Sequence, residues 1–313
     1  MTTAPLRPDL RLGDADADAV DRDHRTVPTP RRARPSTPLT IALVVCAAYF
    51  VLPLFWLVVA STKTNGDLFS TFGLWFGHDF ALWDNLKAVF TYRDGTYLRW
   101  SLNSVLYAVV SAGGASLLAT MAGYGFAKYD FPGAKLMFST TLGAIMIPLT
   151  ALALPTYLMF NNIHLTNTPW AVILPSLVSP FGVFLMRVYA TDAVPDSLIE
   201  AARVDGASEL RIFCQIGLRL LAPGMVTVLL LTLVATWNNY FLPLIMLSRS
   251  SLYPLTVGLA QQQSASAQGG GGSQALFSTV ITGSMVSVLP LVIAFLFLQR
   301  YWQSGLATGG VKE

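Results

Sequence analysis

Charge is what this sequence has least of. Of its 313 residues only 12% are Asp, Glu, Lys or Arg, while 53% are hydrophobic. Soluble domains carry about 25% charged residues, so this composition points to an integral membrane protein. A formal net charge of +3 is too small to suggest nucleic-acid binding, and no RNP or zinc-finger pattern is present. The sequence has no Gly-Lys pair, hence no Gly-x4-Gly-Lys-Ser/Thr loop to cradle ATP. His24, His78 and His164 form no metal motif. Cys46 falls in an apolar run and Cys214 in a charged loop, which argues against a disulfide. No catalytic constellation, metal site or cofactor motif is expected.

What is present is a succession of apolar runs. Residues 1–38 form a polar tail with Asp14, Asp16 and Asp18 followed by Arg31, Arg32 and Arg34, a composition that cannot order itself. Its Asp-x-Asp-x-Asp start lacks the Gly and Glu of a calcium loop, with Ala19 and Arg25 at those positions. The tail is also too long and too acidic to start a signal peptide. Six stretches follow near residues 39–60, 102–126, 135–160, 168–190, 220–246 and 276–298, each close to the ~20 residues needed to cross hydrocarbon. The expected fold is therefore all-α, a membrane domain over 39–313 with six transmembrane helices. Gly113-Gly114-Ala115-Ser116 offers small residues for close helix contact. None of the six runs contains Asp or Glu, which argues against a proton-coupled carrier.

Six spans put both termini on one side. Fifteen Lys and Arg residues then share that side, against five on the other. The positive-inside rule places both termini in the cytoplasm of a multi-pass protein of the cell membrane. On the outer side, the segment 61–101 carries Trp75, Trp83, Tyr92, Tyr97 and Trp100, read as an interfacial aromatic belt or a surface for an external partner. SASAQGGGGSQ at 264–274 reads as a flexible linker without folded structure.

The fourth and fifth runs are joined by a charged, helix-prone loop, EAARVDGASELRIFCQIGLRLLAP, starting at Glu200. Ser197 and Glu200 have capping-box spacing. Leu198, Ala201, Ala202 and Asp205 fall on one helical face. Gly206 interrupts, and residues 207–216 suit a second short helix with Leu210, Phe213 and Cys214 on one stripe. The expectation is a cytoplasmic helix–Gly–helix element over 197–216. On physics alone it is either a docking surface for another body or a surface helix held at the interface by its charges.

Glu200-Ala201-Ala202, Gly206, Ile216 and Leu218 resemble the EAA loop of permease subunits of binding-protein-dependent ABC importers, and EAARVDGAS resembles the carbohydrate branch. The likeness extends to Leu102-Asn103-Ser104, to Tyr124–Gly133, to Trp237-Asn238-Asn239-Tyr240 with Pro243-Leu244, and to the ending Gln299-Arg300-Tyr301-Trp302. It covers about residues 40–313 and is similar to the maltose-type second permease. The resemblance implies a subunit of an importer for a sugar, in particular an oligosaccharide. It also implies a second homologous permease, two ATP-binding subunits that hydrolyse ATP, and an extracytoplasmic solute-binding protein as partners. Glu200, Ala201, Ala202, Arg203, Asp205 and Gly206 would couple to an ATPase. Trp237, Asn238, Asn239 and Tyr240 would face the translocation path, with helix–helix hydrogen bonding as the other reading. Where the family has proline after Leu218, this chain has Arg219, so the second short helix either runs on into the fifth span or breaks at Ala222-Pro223-Gly224. An autonomous secondary carrier is the alternative function.

Overall fold

A computed structural model describes residues 37–268 and 276–307, and places side chains throughout except for 268, 276 and 300–307. The tail, the glycine run of the 264–274 linker and the last six residues lie outside the described residues. Those described are helical and contain no strand. Through Val51 the chain forms one compact unit and from Leu52 onward another. The described part of the first unit is the opening of α1 (Thr37–Ser61), apolar on every side and fully exposed within the chain through Val51. A helix hydrophobic all round suits lipid. At about 37 Å for 25 residues, α1 is long enough to cross a bilayer.

The second unit is organised around α4 (Thr96–Lys128), 33 residues and about 50 Å long. Against it pack α8 (Pro180–Ala193) and α11 (Leu218–Trp237). Small residues permit the approach. A Cβ on Gly123 would lie 2.6 Å from the Cβ of Met186, and one on Gly114 would strike Leu177. The predicted role of the Gly-Gly-Ala-Ser stretch thus holds at Gly114, Ala115 and Ser116, while Gly113 meets nothing. The Thr120 hydroxyl, buried in the bundle, bonds back to its own helix, Oγ1 donating to the Ser116 carbonyl at 2.7 Å.

Two sets of contacts mark opposite ends of α4. At its start, Tyr97 donates to the Gly283 carbonyl, Trp100 Nε1 to that of Ser250, and Asn103 Nδ2 to those of Ser251 and Tyr253. At its finish, Lys128 meets Asp196 and Tyr129 meets Glu209. The third predicted span is broken into α5 (Ala134–Ile145) and α6 (Leu149–Asn162), bent by 107°. It leaves the Tyr129 end, and just beyond it Asn167 bonds Met246, Ser248 and Arg249 near the other end. The pair therefore joins opposite ends of the bundle, as a broken span does and a re-entrant loop does not. Pro148 sets the break, because it disfavours helix at Ile147 and has no N–H to donate. With the five long helical spans, this gives the six that were expected.

Three expectations change. The fourth span, Trp170–Ala193, is interrupted at 177–179, where Ser179 Oγ accepts the Gly182 N–H and Pro180 begins α8. The 61–101 segment, expected on the outer side, is a folded cap rather than a simple belt. Of the five aromatics named there, Tyr97 and Trp100 are core residues, Tyr92 is half-buried, and Trp75 and Trp83 stand exposed. Within the cap, buried Lys63 donates to Thr71 Oγ1 and the Phe72 carbonyl, and Asn85 Nδ2 donates to the carbonyls of Ser61 and Lys63. Asp67 accepts from the backbone amides of His78 and Asp79 and meets His78 Nδ1 at 3.1 Å. His78 Nδ1 chiefly, the Asp79 amide and Thr64 hold the Asp67 carboxyl below the usual carboxylate range, against the opposing effect of burial. Finally, α13 (Leu255–Gln268) carries helix through the first five residues of the predicted linker. Ser266 is buried there and donates to the Gln262 carbonyl, so helix packing wins over linker composition.

Candidate functional site

The charged loop folds as two helices about a left-handed glycine. The first, α9 (Asp196–Val204), starts at Pro195 and has no side-chain cap. The Ser197–Glu200 capping box does not form, because Pro195 fixes the helix start ahead of Ser197. At the other end Gly206 has φ +77°, its N–H reaches the Arg203 carbonyl, and the Ala207 N–H reaches that of Ala202. This 6→1 and 5→2 pair is a Schellman motif with glycine at C′. A Cβ on Gly206 would meet no atom within 4 Å, so its role within this chain is backbone conformation, not close contact.

Beyond the turn, α10 (Glu209–Ile212) passes through one π turn, Phe213–Gly217, straight into α11. Glu209–Trp237 is continuous helix. With Arg219 in the place of proline the helix does run on, and Pro223 sits inside it without a break. Ile199, Ile212 and Phe213 are buried: Phe213 belongs to the stripe read from sequence, while Leu198 and Leu210 give way to Ile199 and Ile212. Leu198, Ala201, Asp205, Leu210 and Cys214 are exposed and Ala202 is half-buried.

One contact ties the two loop helices together and two brace them against the end of α4. Arg203 Nε bonds Glu209 Oε1 at 2.7 Å and Nη2 bonds Oε2 at 3.3 Å, straddling the glycine turn. Tyr129 OH donates to the same Oε2 at 2.8 Å. Partial burial, then the neighbouring carboxylate, pushes the Tyr129 phenol well above its ordinary range, so it stays a donor. Lys128, its side chain 4% exposed, reaches Asp196 at 2.8 Å. Below them Tyr124 packs on Phe213 with ring centroids 5.1 Å apart.

The six residues singled out in this loop therefore divide. Arg203 is turned inward to the brace. Ala202 faces partly inward. Glu200, Ala201, Asp205 and Gly206 are exposed, alongside Val204 at 87% and Leu210 at 69% exposure. Among the described residues Glu200 has no hydrogen-bond partner; it lines a polar cavity of about 270 Å³ with Lys128, Tyr129, Asp196 and Arg203. Sequence reading missed Glu209. The signal was its placement six residues after Arg203 across a glycine, a spacing that pairs them only once the turn is left-handed.

The four residues proposed for the path separate as well. Trp237 is buried and its Nε1 donates to the Ser287 carbonyl on α14 (Leu276–Ala307) at 3.2 Å, a helix–helix bond. Asn239 Oδ1 accepts the Leu242 N–H at the start of α12 (Phe241–Met246), and its carbonyl accepts from Thr256 Oγ1. Asn238 and Tyr240 are exposed, Asn238 donating only to Val234 of its own helix.

Residues 115–306 match the family described as binding-protein-dependent transport system inner membrane component. The arabinooligosaccharides transport system permease protein AraQ of Halalkalibacterium halodurans is 35% identical over 275 residues, 88% of this chain and 95% of that protein. AraQ of Bacillus subtilis is 32% identical over the same shares. The lactose transport system permease protein LacG of Rhizobium radiobacter is 30% identical over 91% of this chain and 99% of its own. In structure, the chain resembles one from a bacterial ABC transporter involved in the import of the acidic polysaccharide alginate, with TM-score 0.73 at 19% identity, covering 85% of this chain and 95% of that one.

Proposed function

Because this chain belongs to the family of binding-protein-dependent transport system inner membrane components, we propose that its braced helix–Gly–helix loop is the element through which ATPase subunits drive an importer for a carbohydrate, in particular an oligosaccharide. The chain is a multi-pass membrane permease, not an enzyme. Hydrolysis belongs to two partner ATP-binding subunits. A second homologous permease completes the path, and an extracytoplasmic binding protein delivers the solute. The oligosaccharide class is supported by the sugar-transport relatives. The excess of Lys and Arg on the loop side supports a cytoplasmic loop and cytoplasmic termini.

The observation that carries the coupling role is the loop's construction. Arg203, Glu209, Tyr129, Lys128 and Asp196 fix it to α4, and the π turn joins it without interruption to the fifth span. A push on the exposed Glu200, Ala201, Val204, Asp205 and Leu210 face is therefore delivered to two spans at once. Glu200 in that face has a free carboxylate suited to bidentate pairing with an arginine. Replacement of Glu200 by Gln keeps size and removes charge. We expect normal membrane levels with loss of solute-stimulated ATPase activity in the reconstituted complex. Wild-type stimulation in both Glu200→Gln and Glu200→Ala would remove Glu200 from the mechanism.

A further inference from the structure

The opposite end of the bundle holds a second site. On α13, Gln262 is 4% exposed, and its Nε2 has no hydrogen-bond partner among the described residues. It lines a cavity of about 220 Å³ together with Tyr92, Arg93, Thr96, Trp100, Ser250, Gln261 and Ala265. Native structures rarely leave such a donor unused. The turn opposite presents Arg93 at φ 42°, followed by Asp94 at 57° and Gly95 at 79°. Two successive non-glycine residues in the left-handed region are held against their preference. The Arg93 guanidinium lies 5.4 Å from the Tyr92 ring centroid and has no ion pair among the described residues.

The chemistry of the walls selects the ligand. No Asp or Glu lines the cavity. Arg93 covers one face of Tyr92, and Gly258 lies so close to Trp100 that a Cβ there would overlap the indole. Trp100 Nε1 is spent on the Ser250 carbonyl and the Thr96 hydroxyl on that of Arg93. What remains is two amide side chains, Gln261 and Gln262, and a guanidinium, donors with one positive charge and no opposing acid, which match a carboxylate. We propose that this cavity binds a carboxylate group, carried either by an acidic solute or by a side chain of the extracytoplasmic partner. That the cavity faces outward rests on the orientation proposed above; that it takes a carboxylate does not.

The test uses the purified full transporter with Cys46→Ser, Cys214→Ser and Ala265→Cys, which puts one thiol at the cavity wall. Its labelling rate with a neutral maleimide is followed with glucuronate, with glucose as the neutral isostere, and with the purified extracytoplasmic binding protein. Protection by glucuronate and not glucose is expected, with affinity about tenfold weaker in Arg93→Gln or Gln262→Met, as loss of a charge-assisted bond implies. Protection by the binding protein alone, again lost in those variants, places the carboxylate on that protein. Protection by neither, equal protection by glucose, or protection that survives in both variants overturns the proposal. Monodispersity of each variant complex by gel filtration separates a lost site from a lost fold.

Discussion

Arg203 holds Glu209 through two nitrogens across the turn at Gly206, and Tyr129 donates to the oxygen that Arg203 Nη2 also holds. The pair is about half exposed, so solvent screens it and its share of folding free energy is small. Its consequence is orientation of the two loop helices. Glu209→Ala should leave membrane levels and thermal stability nearly unchanged while lowering uptake and ATPase stimulation severalfold. Recovery in the exchanged pair Arg203→Glu with Glu209→Arg would identify the pair as the cause. Unchanged uptake in Glu209→Ala would show that the loop is held without it.

Gly206 separates backbone from space. Nothing lies within 4 Å of its missing Cβ, yet φ is +77°. Asparagine tolerates this conformation and a β-branched residue does not. Gly206→Asn should retain most uptake, whereas Gly206→Val should lose it along with about 1–3 kcal/mol of local stability. Equal loss in both would mean that a partner subunit touches this position.

Trp237 and Asn238 should behave in opposite ways. Trp237 is buried and bonded to Ser287, so Trp237→Ala should destabilise the protein by roughly 3–5 kcal/mol, with Trp237→Phe far milder. Asn238 is exposed and bonded only within its helix, so Asn238→Ala should leave thermal stability intact and alter solute affinity or rate if it faces the path. Normal transport kinetics in Asn238→Ala would remove it from the path.

The cap formed by the 61–101 segment should loosen in acid. The Asp67 carboxyl is held low by His78 and by backbone amides. A depressed carboxyl contributes stability that is present above its unfolded value of about 4 and disappears as pH falls through the lower folded value. Limited proteolysis of the 64–85 segment should therefore accelerate on acidification below about pH 4, and Asp67→Asn should be cleaved readily at every pH. A pH-independent cleavage rate in the wild type would contradict this.

The six spans were legible because a run of apolar residues long enough to cross hydrocarbon has few other uses. The helix–Gly–helix plan was legible because only glycine sits easily where Gly206 does. The interiors of these elements were less so. Pro195 moved the start of α9 ahead of Ser197, and burial of Ile199 rather than Leu198 followed from docking on α4, which no local pattern encodes. Tyr97 and Trp100 looked like belt residues until the carbonyls of Gly283 and Ser250, some 150 or more positions away, came within bonding distance. Third-span bending at Pro148 was hidden for a different reason: proline marks a possible kink without giving its angle.

The π turn at 213–217 has a consequence for tolerated change in chain length. It is an α-helix that has absorbed one surplus residue. Deleting one residue between Phe213 and Gly217 lets the helix close in uniform α phase while the parts on either side keep their facing, because the wide turn already spends its extra residue within one turn. Glu209 would stay beside Tyr129. The same deletion within the regular turns of α11 would rotate everything N-terminal to it by about 100° about the axis and swing Glu209 away, so a missing residue is slack taken up at 213–217 and a change of gear beyond it.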